Sequence, residues 1–363
     1  MAEHVLIAGA TGVVGFAALK HFSQKAGCRV TAVSRRRPLE TFGADFHSLD
    51  LTDARACADR LGSLDGVTRL VYAALYEKPG LVPGWLEHDQ IETNQRMLEN
   101  LFEPLERASQ DLRHVTLLQG TKAYGAHVRP VPIPARENRS ELRDVPNFYW
   151  NQEDYLRARQ PGKSWNWSIL RPQVIFGLSI GAAMNLIPAI GVYAALRKQR
   201  GEPLAFPGGL GPVLEAVDAD LLARAIDWAG SSPEARNEIF NVTNGDVFDW
   251  RGVWPAIADS LGMEVGEPAP ERLGESMPAR GAEWDAVRER YGLVSPGLAE
   301  FVGESFHYAD FCMAYGATGG LPPVLVSTLK LRQAGFAESM DTEAMFRKWF
   351  ELFQAKRLLP SLP

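Results

Sequence analysis

Apolar residues along the first half of this chain fall into two rhythms, short unbroken runs and longer stripes of three-to-four spacing. Val5-Leu6-Ile7-Ala8 is an unbroken run of strand length, which predicts a strand covered on both faces. Phe16, Ala17, Ala18, Leu19 and Phe22 then keep helical spacing. The alternation recurs, with strands predicted near 28–33, 46–51, 71–74, 114–118 and 167–170. Between them a long amphipathic helix carries Ile91, Met97, Leu98, Leu101, Phe102 and Leu105 on one face. Strands alternating with helices in this way predict an α/β fold built on a doubly wound parallel sheet. From residue 177 the pattern turns mainly helical and is punctuated by Pro and Gly. Two stretches within about 213–245 are expected to return to the sheet domain: Val217-Asp218-Ala219-Asp220 opening a helix, and Ile239–Val242 as a short strand. The expected division is a first domain over 1–176 and a mainly helical, substrate-covering lobe over 177–363.

The first strand ends in Gly9-Ala10-Thr11-Gly12-Val13-Val14-Gly15 and opens a helix. In that context Gly9 permits the sharp turn, Gly12 lets backbone approach a pyrophosphate, and Gly15 lets helix and strand pack closely. The first-turn N–H groups around Thr11, Val13 and Val14 would face the anion. The same spacing also occurs in purely structural turns; the strand before it and the helix after it favour a Rossmann-type dinucleotide site. The second strand ends in Ser34-Arg35-Arg36-Arg37 rather than in Asp or Glu. A carboxylate there would bind the ribose 2′-hydroxyl of NAD, whereas Ser34, Arg35 and Arg36 suit the 2′-phosphate of NADP. Asp50 and Leu51 end the third strand beside the expected adenine, and Asp53 reads as a helix N-cap. The small Ala73 and Ala74 end the fourth strand, and Pro172, Val174 and Ile175 follow the sixth. All lie at strand C-termini, where open α/β sheets bind ligands.

Charge and composition narrow the field. The chain has 363 residues and a net charge of −6, which offers no field for nucleic acid or an anionic membrane. The apolar stretches at 186–196 and 321–329 carry prolines and fall short of the roughly 20 residues of a membrane span, so buried helices are expected. The Met1-Ala2-Glu3-His4 start runs directly into a strand without a leader pattern. Cys28, Cys57 and Cys312 are few and scattered, which points to a reducing, cytoplasmic compartment rather than a disulfide framework. The histidines show no metal spacing, so no metal site is expected. The stretch 126–145, rich in Pro, Arg and Glu, reads as a surface excursion.

Hydride transfer to a carbonyl-bearing substrate calls for a proton donor near the oxygen, and a tyrosine beside a cation serves. The usual arrangement, Tyr and Lys four apart on a helix, is missing. Tyr155 and Tyr193 have Arg159 and Arg197 at that spacing, and Tyr149 has Glu153. The cation would have to come from elsewhere, and Lys122, just past the fifth strand, is placed to supply it. On the residues alone, a Lys and a Tyr on separate segments are as readily surface groups.

At these residues the chain resembles the progesterone 5β-reductase/iridoid synthase-like enzymes, atypical members of the extended short-chain dehydrogenase/reductase superfamily. The likeness spans residues 9–15, 34–37, 49–53, 120–125, 147–154, 171–177, 184–185, 218–220 and 237–250, in order, and includes Phe148-Tyr149-Trp150-Asn151-Gln152-Glu153-Asp154 and Asn241-Val242-Thr243-Asn244-Gly245-Asp246-Val247-Phe248. The resemblance implies that Tyr149 and Lys122 form the catalytic pair, that NADPH is the cofactor, and that the reaction is 1,4-reduction of enones or enals. Trp150 stands where the family usually has Tyr, and Ala123 where His is common. Phe148, Trp150, Met184, Phe206 and Phe306 are candidate substrate-pocket walls, each equally readable as core. Two other readings stay open: an NADPH-dependent carbonyl reductase or alcohol dehydrogenase using the same pair, and a non-catalytic NADP-binding sensor. A small-molecule enone or carbonyl substrate is the expected partner, and a homodimer is possible on an exposed apolar helix.

Overall fold

Strand β1 (Glu3–Ala8) forms the middle of the sheet, and its residues Val5, Leu6, Ile7 and Ala8 are fully buried. Leu6 and Ala8 pack on one face with Met97, Leu98 and Phe102; Val5 and Ile7 pack on the other with Leu19, Phe22 and Leu222. An unbroken apolar run is therefore what a doubly covered parallel strand requires, each large aliphatic contributing roughly 1.5–3 kcal/mol of burial. The structure, a computed structural model, describes residues 3–361, so positions 1–2 and 362–363 of the expected domains lie outside the described residues.

After β1 come α1 (Val13–Ser23), β2 (Cys28–Ser34), β3 (Asp45–Ser48), α2 (Ala54–Leu61) and β4 (Arg69–Tyr72). Then follow α3 (His88–Ala108), β5 (His114–Leu118), α4 (Phe148–Arg159), β6 (Asn166–Pro172) and β7 (Val174–Phe176). The second half contains α5 (Leu186–Gln199), β8 (Ala216–Asp218), α6 (Ala219–Ser231), β9 (Glu238–Val242) and α7 (Trp250–Ser260). It closes with α8 (Leu273–Ser276), α9 (Gly281–Tyr291), α10 (Leu298–Val302), α11 (Ser305–Cys312), α12 (Leu329–Gln333) and α13 (Thr342–Ala355).

The seven-stranded sheet runs β3-β2-β1-β4-β5-β6-β9, with Ile7 paired to Ala32 on one side and Val71 on the other. Every pairing is parallel. Chain order reverses between β1 and β4, which makes the crevice beyond their C-termini the topological switch point. Both expected return segments appear, in different places. β9 extends the main sheet beside β6, while β8 pairs with β7 in a separate two-stranded sheet. Asp218 ends β8 and caps α6 by accepting from Leu221 N at 3.0 Å; it also accepts from Trp349 Nε1 at 3.0 Å, fixing α13.

Two expectations change. The stretch 126–145 is not simply a surface excursion, since Val131, Ala135, Glu137 and Leu142 are buried. Its polar backbone is tied into the body, with Ala135 N donating to Leu325 O at 2.9 Å and Ser327 N to Ala135 O at 2.8 Å. Of the stretch 321–329, residues 321–328 are an extended segment rather than a buried helix, because Pro322 and Pro323 deny it helical hydrogen bonds, and Leu321 and Leu329, which opens α12, are exposed. By contrast 186–196 forms the buried body of α5. Among the described residues, no helix is long and apolar enough to cross a membrane.

Candidate active site

A single cleft of about 570 Å³ runs along the C-terminal edge of the sheet, from Arg35 and Arg36 at one end, past the glycine turn, to Tyr149 and Phe311. The glycines divide the work at its floor. Gly9 has φ +82°, and a methyl there would sit 2.5 Å from the Ala73 carbonyl oxygen; one on Gly15 would sit 2.1 Å from the Gly9 oxygen. Those two glycines are required by the chain's own packing. At Gly12 the nearest atom would be 3.4 Å away, so its lack of a side chain leaves room for a group outside the chain. Helix α1 starts at Gly12 with no side chain capping it and no acidic residue in its first turn. Gly12, Val13 and Val14 line the cleft, and the free donors of that first turn suit a pyrophosphate.

Thr11, Ser34, Arg35, Arg36, Asp50, Leu51, Ala73, Ala74, Pro172 and Ile175 line the same cleft. Asp50 Oδ1 accepts from Thr52 N at 2.9 Å and Thr52 Oγ1 at 2.8 Å, bonds that hold its carboxyl below the usual range and fix the loop after β3. The guanidiniums beside Ser34 sit where a ribose 2′-phosphate would be met. The residues present thus fit a 2′-phosphorylated dinucleotide. Val174 does not line the cleft: neighbouring strand residues face opposite ways, so Gln173 and Ile175 point in and Val174 is buried behind them.

Tyr149 lies in the first turn of α4, whose N-cap Asn147 accepts from Tyr149 N at 3.1 Å. A methyl on Gly120 would come 3.3 Å from the Tyr149 hydroxyl, so the phenol stands over the end of β5. Burial first, then the Glu77 charge, pushes the phenol above its ordinary pKa, against the pull of Arg171. It is therefore a protonated hydrogen-bond donor and not a readily ionised acid. Lys122 reaches the same space from the turn after β5, its Nζ 5.6 Å from the centres of the Tyr149 and Phe148 rings and 4.3 Å from that of Trp85. Burial lowers its pKa, and Glu77, 3.8 Å away, opposes that.

A buried network fixes this end of the sheet. Arg171, fully buried at the end of β6, donates to Gln119 Oε1 at 2.7 Å, Glu141 Oε1 at 2.7 Å and Glu153 Oε2 at 3.3 Å. Glu153 also accepts from Arg143 at 2.7 Å and Arg157 at 2.9 Å. The residue four after Tyr149 is thus an anchor for α4.

Of the expected pocket walls, Phe148 and Met184 line the cleft. Trp150 faces away, its Nε1 donating to Val145 O at 3.2 Å and its ring under Arg143, because consecutive helical residues point about 100° apart. Phe206 packs edge-on against Trp254 at 5.1 Å, and Phe306 is buried in a core that the C-terminal helices share with α1 and β7. The neighbouring Tyr308 and Phe311 of α11 face the cleft instead. Glu77, Trp85, His127 and Gln152 also line it. Sequence reasoning missed these, since most sit on irregular segments without periodicity; Tyr308 and Phe311, three apart on one helix, were the readable signal.

Residues 52–360 match the model of the PRISE-like Rossmann-fold domain. An (S)-8-oxocitronellyl enol synthase from Nepeta cataria is 32% identical over 98% of this chain and 91% of its own. A 3-oxo-Δ(4,5)-steroid 5β-reductase from Arabidopsis thaliana is also 32% identical, over 98% of this chain and 92% of its own. Among solved structures, Thermus thermophilus UDP-glucose 4-epimerase superposes with a TM-score of 0.67 at 20% identity, covering 97% of this chain and 99% of its own, a likeness of fold. With its parallel sheet, its glycine cradle and a family match over most of its length, the chain belongs to the PRISE-like Rossmann-fold family.

Proposed function

We propose that this protein is an NADPH-dependent reductase of the activated C=C bond in enones or enals. The observation that carries the reading is one continuous cleft joining the glycine cradle and Arg35–Arg36 to a buried phenol, Tyr149, with the Lys122 ammonium beside its ring. The two curated relatives, a steroid 5β-reductase and an enol synthase, support the substrate class. Gly9, Thr11, Gly12, Val13 and Val14 would hold the pyrophosphate, and Ser34, Arg35 and Arg36 the 2′-phosphate. Asp50 and Leu51 would flank the adenine, with Ala73, Ala74, Pro172 and Ile175 along the remaining wall. When bound, NADPH supplies the hydride.

Tyr149 keeps its proton and donates a hydrogen bond to the substrate carbonyl oxygen, stabilising negative charge as it develops there. Lys122 adds a positive charge behind the phenol in a largely buried position, where electrostatic stabilisation is stronger than in water. Phe148, Met184, Trp85, Tyr308 and Phe311 present apolar surface to the substrate and orient its carbonyl. The α-carbon is protonated from solvent.

The test is NADPH oxidation with 2-cyclohexen-1-one, products separated, for the wild type and Tyr149→Phe. Saturated ketone from the wild type, with a loss on the order of 10²–10³ in rate for the variant, is expected. Allylic alcohol would make the protein a carbonyl reductase with the same pair. Tight NADPH binding without turnover of any enone or aldehyde would make it a cofactor-binding sensor.

A further inference from the structure

One buried carboxylate in the cleft, Glu77, has no part in the reading above. Its side chain is 3% exposed, and it lies 3.8 Å from the Lys122 ammonium through Oε1, which makes no hydrogen bond. Its other oxygen accepts from Gln90 Nε2 at 2.6 Å, in the first turn of α3. The backbone on both sides is clamped to the same helix: Lys78 N donates to Gln90 Oε1 at 3.0 Å, and Tyr76 N to Asn94 Oδ1 at 2.9 Å. The carboxylate is thus held in place by a scaffold that Lys122 does not touch.

Burying two opposite charges costs several kcal/mol of solvation per ion, and an apolar pair would fill the space without that cost. A stability role explains the pair poorly, whereas a requirement for a charged amine in this cleft explains it directly. The groups facing Lys122 are Glu77 from the loop after β4, His127 from its own loop, Tyr149 from α4 and Tyr308 from α11. Among the described residues Glu77 is the carboxylate that pairs with it. His127, its two ring nitrogens without partners, is held neutral by burial and by Lys122, at a pKa of about 4, so near neutral pH it adds no second positive charge beside the ammonium.

We propose that Glu77 is a positioning residue: it holds the Lys122 ammonium charged and seated against the Tyr149 ring, so that removing the carboxylate lets the largely buried lysine discharge at lower pH. The inference rests on Lys122 and Tyr149 being the reacting pair. A neutral amine would leave Tyr149 to stabilise the developing oxyanion alone, and activity would be lost as pH rises through the lysine's titration. Glu77 moves that loss to higher pH.

The test titrates Lys122 itself in the cofactor-free protein, by competitive labelling of its amine with acetic anhydride across about pH 6 to 11, read by peptide mass spectrometry. Wild type, Glu77→Gln and Glu77→Asp are compared. The midpoint is expected to fall by about one pH unit or more in Glu77→Gln, with Glu77→Asp between the two. The alkaline limb of kcat with 2-cyclohexen-1-one should move down in step. An unmoved Lys122 midpoint in Glu77→Gln overturns the proposal, as does a loss of rate with both midpoint and limb unmoved. Should the Gln variant not fold, Glu77→Asp decides in the same way, an unmoved midpoint overturning the proposal. Full activity in Tyr149→Phe would instead overturn the proposed function, while the labelling curve still judges Glu77.

Discussion

Arg171 Nε donates to Gln119 Oε1 at 2.7 Å, and both side chains are buried between the ends of β5 and β6. Gln119 passes the constraint on, donating through Nε2 to the Tyr149 carbonyl at 3.3 Å and to Glu153 Oε2 at 3.2 Å. The first turn of α4, and with it the phenol, is thereby set by the sheet.

Replacing Arg171 by Met is expected to destabilise the protein by about 3 kcal/mol, because Gln119, Glu141 and Glu153 all lose a donor at once and Glu153 loses the one of its three guanidinium partners that is itself fully buried. Urea unfolding of Arg171→Met, Glu153→Gln and the double variant checks this. The double variant should recover part of the loss, since it removes the buried carboxylate whose Oε2 the arginine faced; strict additivity would show that the two residues act independently.

What was legible in the sequence was whatever periodicity or glycine spacing encodes. Val5-Leu6-Ile7-Ala8, the stripe from Ile91 to Leu105 and the turn through Gly15 all appear as read, since burial on one or both faces leaves a repeating mark. Aromatic size leaves no such mark. Phe206 and Phe306 are large and aromatic, but a core demands such side chains as much as a pocket does, and here Trp254 and the core shared by α1, β7 and the C-terminal helices claim them. Glu77 and His127 were invisible because their loops follow no period and their meaning depends on Lys122, 45 and 5 positions away in the chain. Arg171 looked like the end of a strand, and only the fold shows which carboxylates it meets.

Gly12 and Gly15 should separate binding from folding. Gly15→Ala would place a methyl 2.1 Å from the Gly9 carbonyl oxygen, so helix and strand must part and thermal stability should fall by several degrees or the chain fail to fold. Gly12→Ala meets no atom closer than 3.4 Å and should fold normally, yet weaken NADPH binding by about tenfold or more by filling the phosphate approach. Thermal melts with NADPH fluorescence titrations distinguish them. Unaltered affinity in Gly12→Ala would remove the pyrophosphate from this turn.

Arg35 and Arg36 are expected to differ. Arg36 already leans toward the Ile180 and Gly181 carbonyls at 3.4 Å each, across the cleft mouth. Arg35→Ala should therefore cut the NADPH-over-NADH preference in kcat/KM by about 10- to 100-fold, with NADH kinetics little changed. Arg36→Ala should do so less, and should also raise KM for the enone by loosening the segment that carries Met184. Equal loss for both cofactors in Arg35→Ala would mean that the guanidinium serves the fold and not the 2′-phosphate.

Glu215 should make the protein less stable as the medium becomes more basic. It is buried beside β8, its Oε2 accepting from Val326 N at 2.7 Å, and its own N–H donates to Gln173 Oε1. Burial pushes its carboxyl up to about 7, against the pull of the Val326 hydrogen bond. The unfolded carboxyl titrates near 4.3, so between those values the folded state binds the proton more tightly. That stability is fully present below about pH 4.3 and is lost as pH rises through about 7. Gln at this position keeps an acceptor for Val326 and carries no charge at any pH. The stabilities of wild type and Glu215→Gln should therefore lie close together near pH 4 and diverge to about 3–4 kcal/mol in favour of the variant by about pH 8. Urea unfolding at intervals across that range measures the divergence; parallel curves would show that Glu215 ionises in the fold as easily as in the open chain. Because Gln173 also lines the cleft and donates to Val324 O at 2.8 Å, the same titration should loosen the 322–328 segment at high pH, seen as faster amide exchange there in the wild type than in the variant.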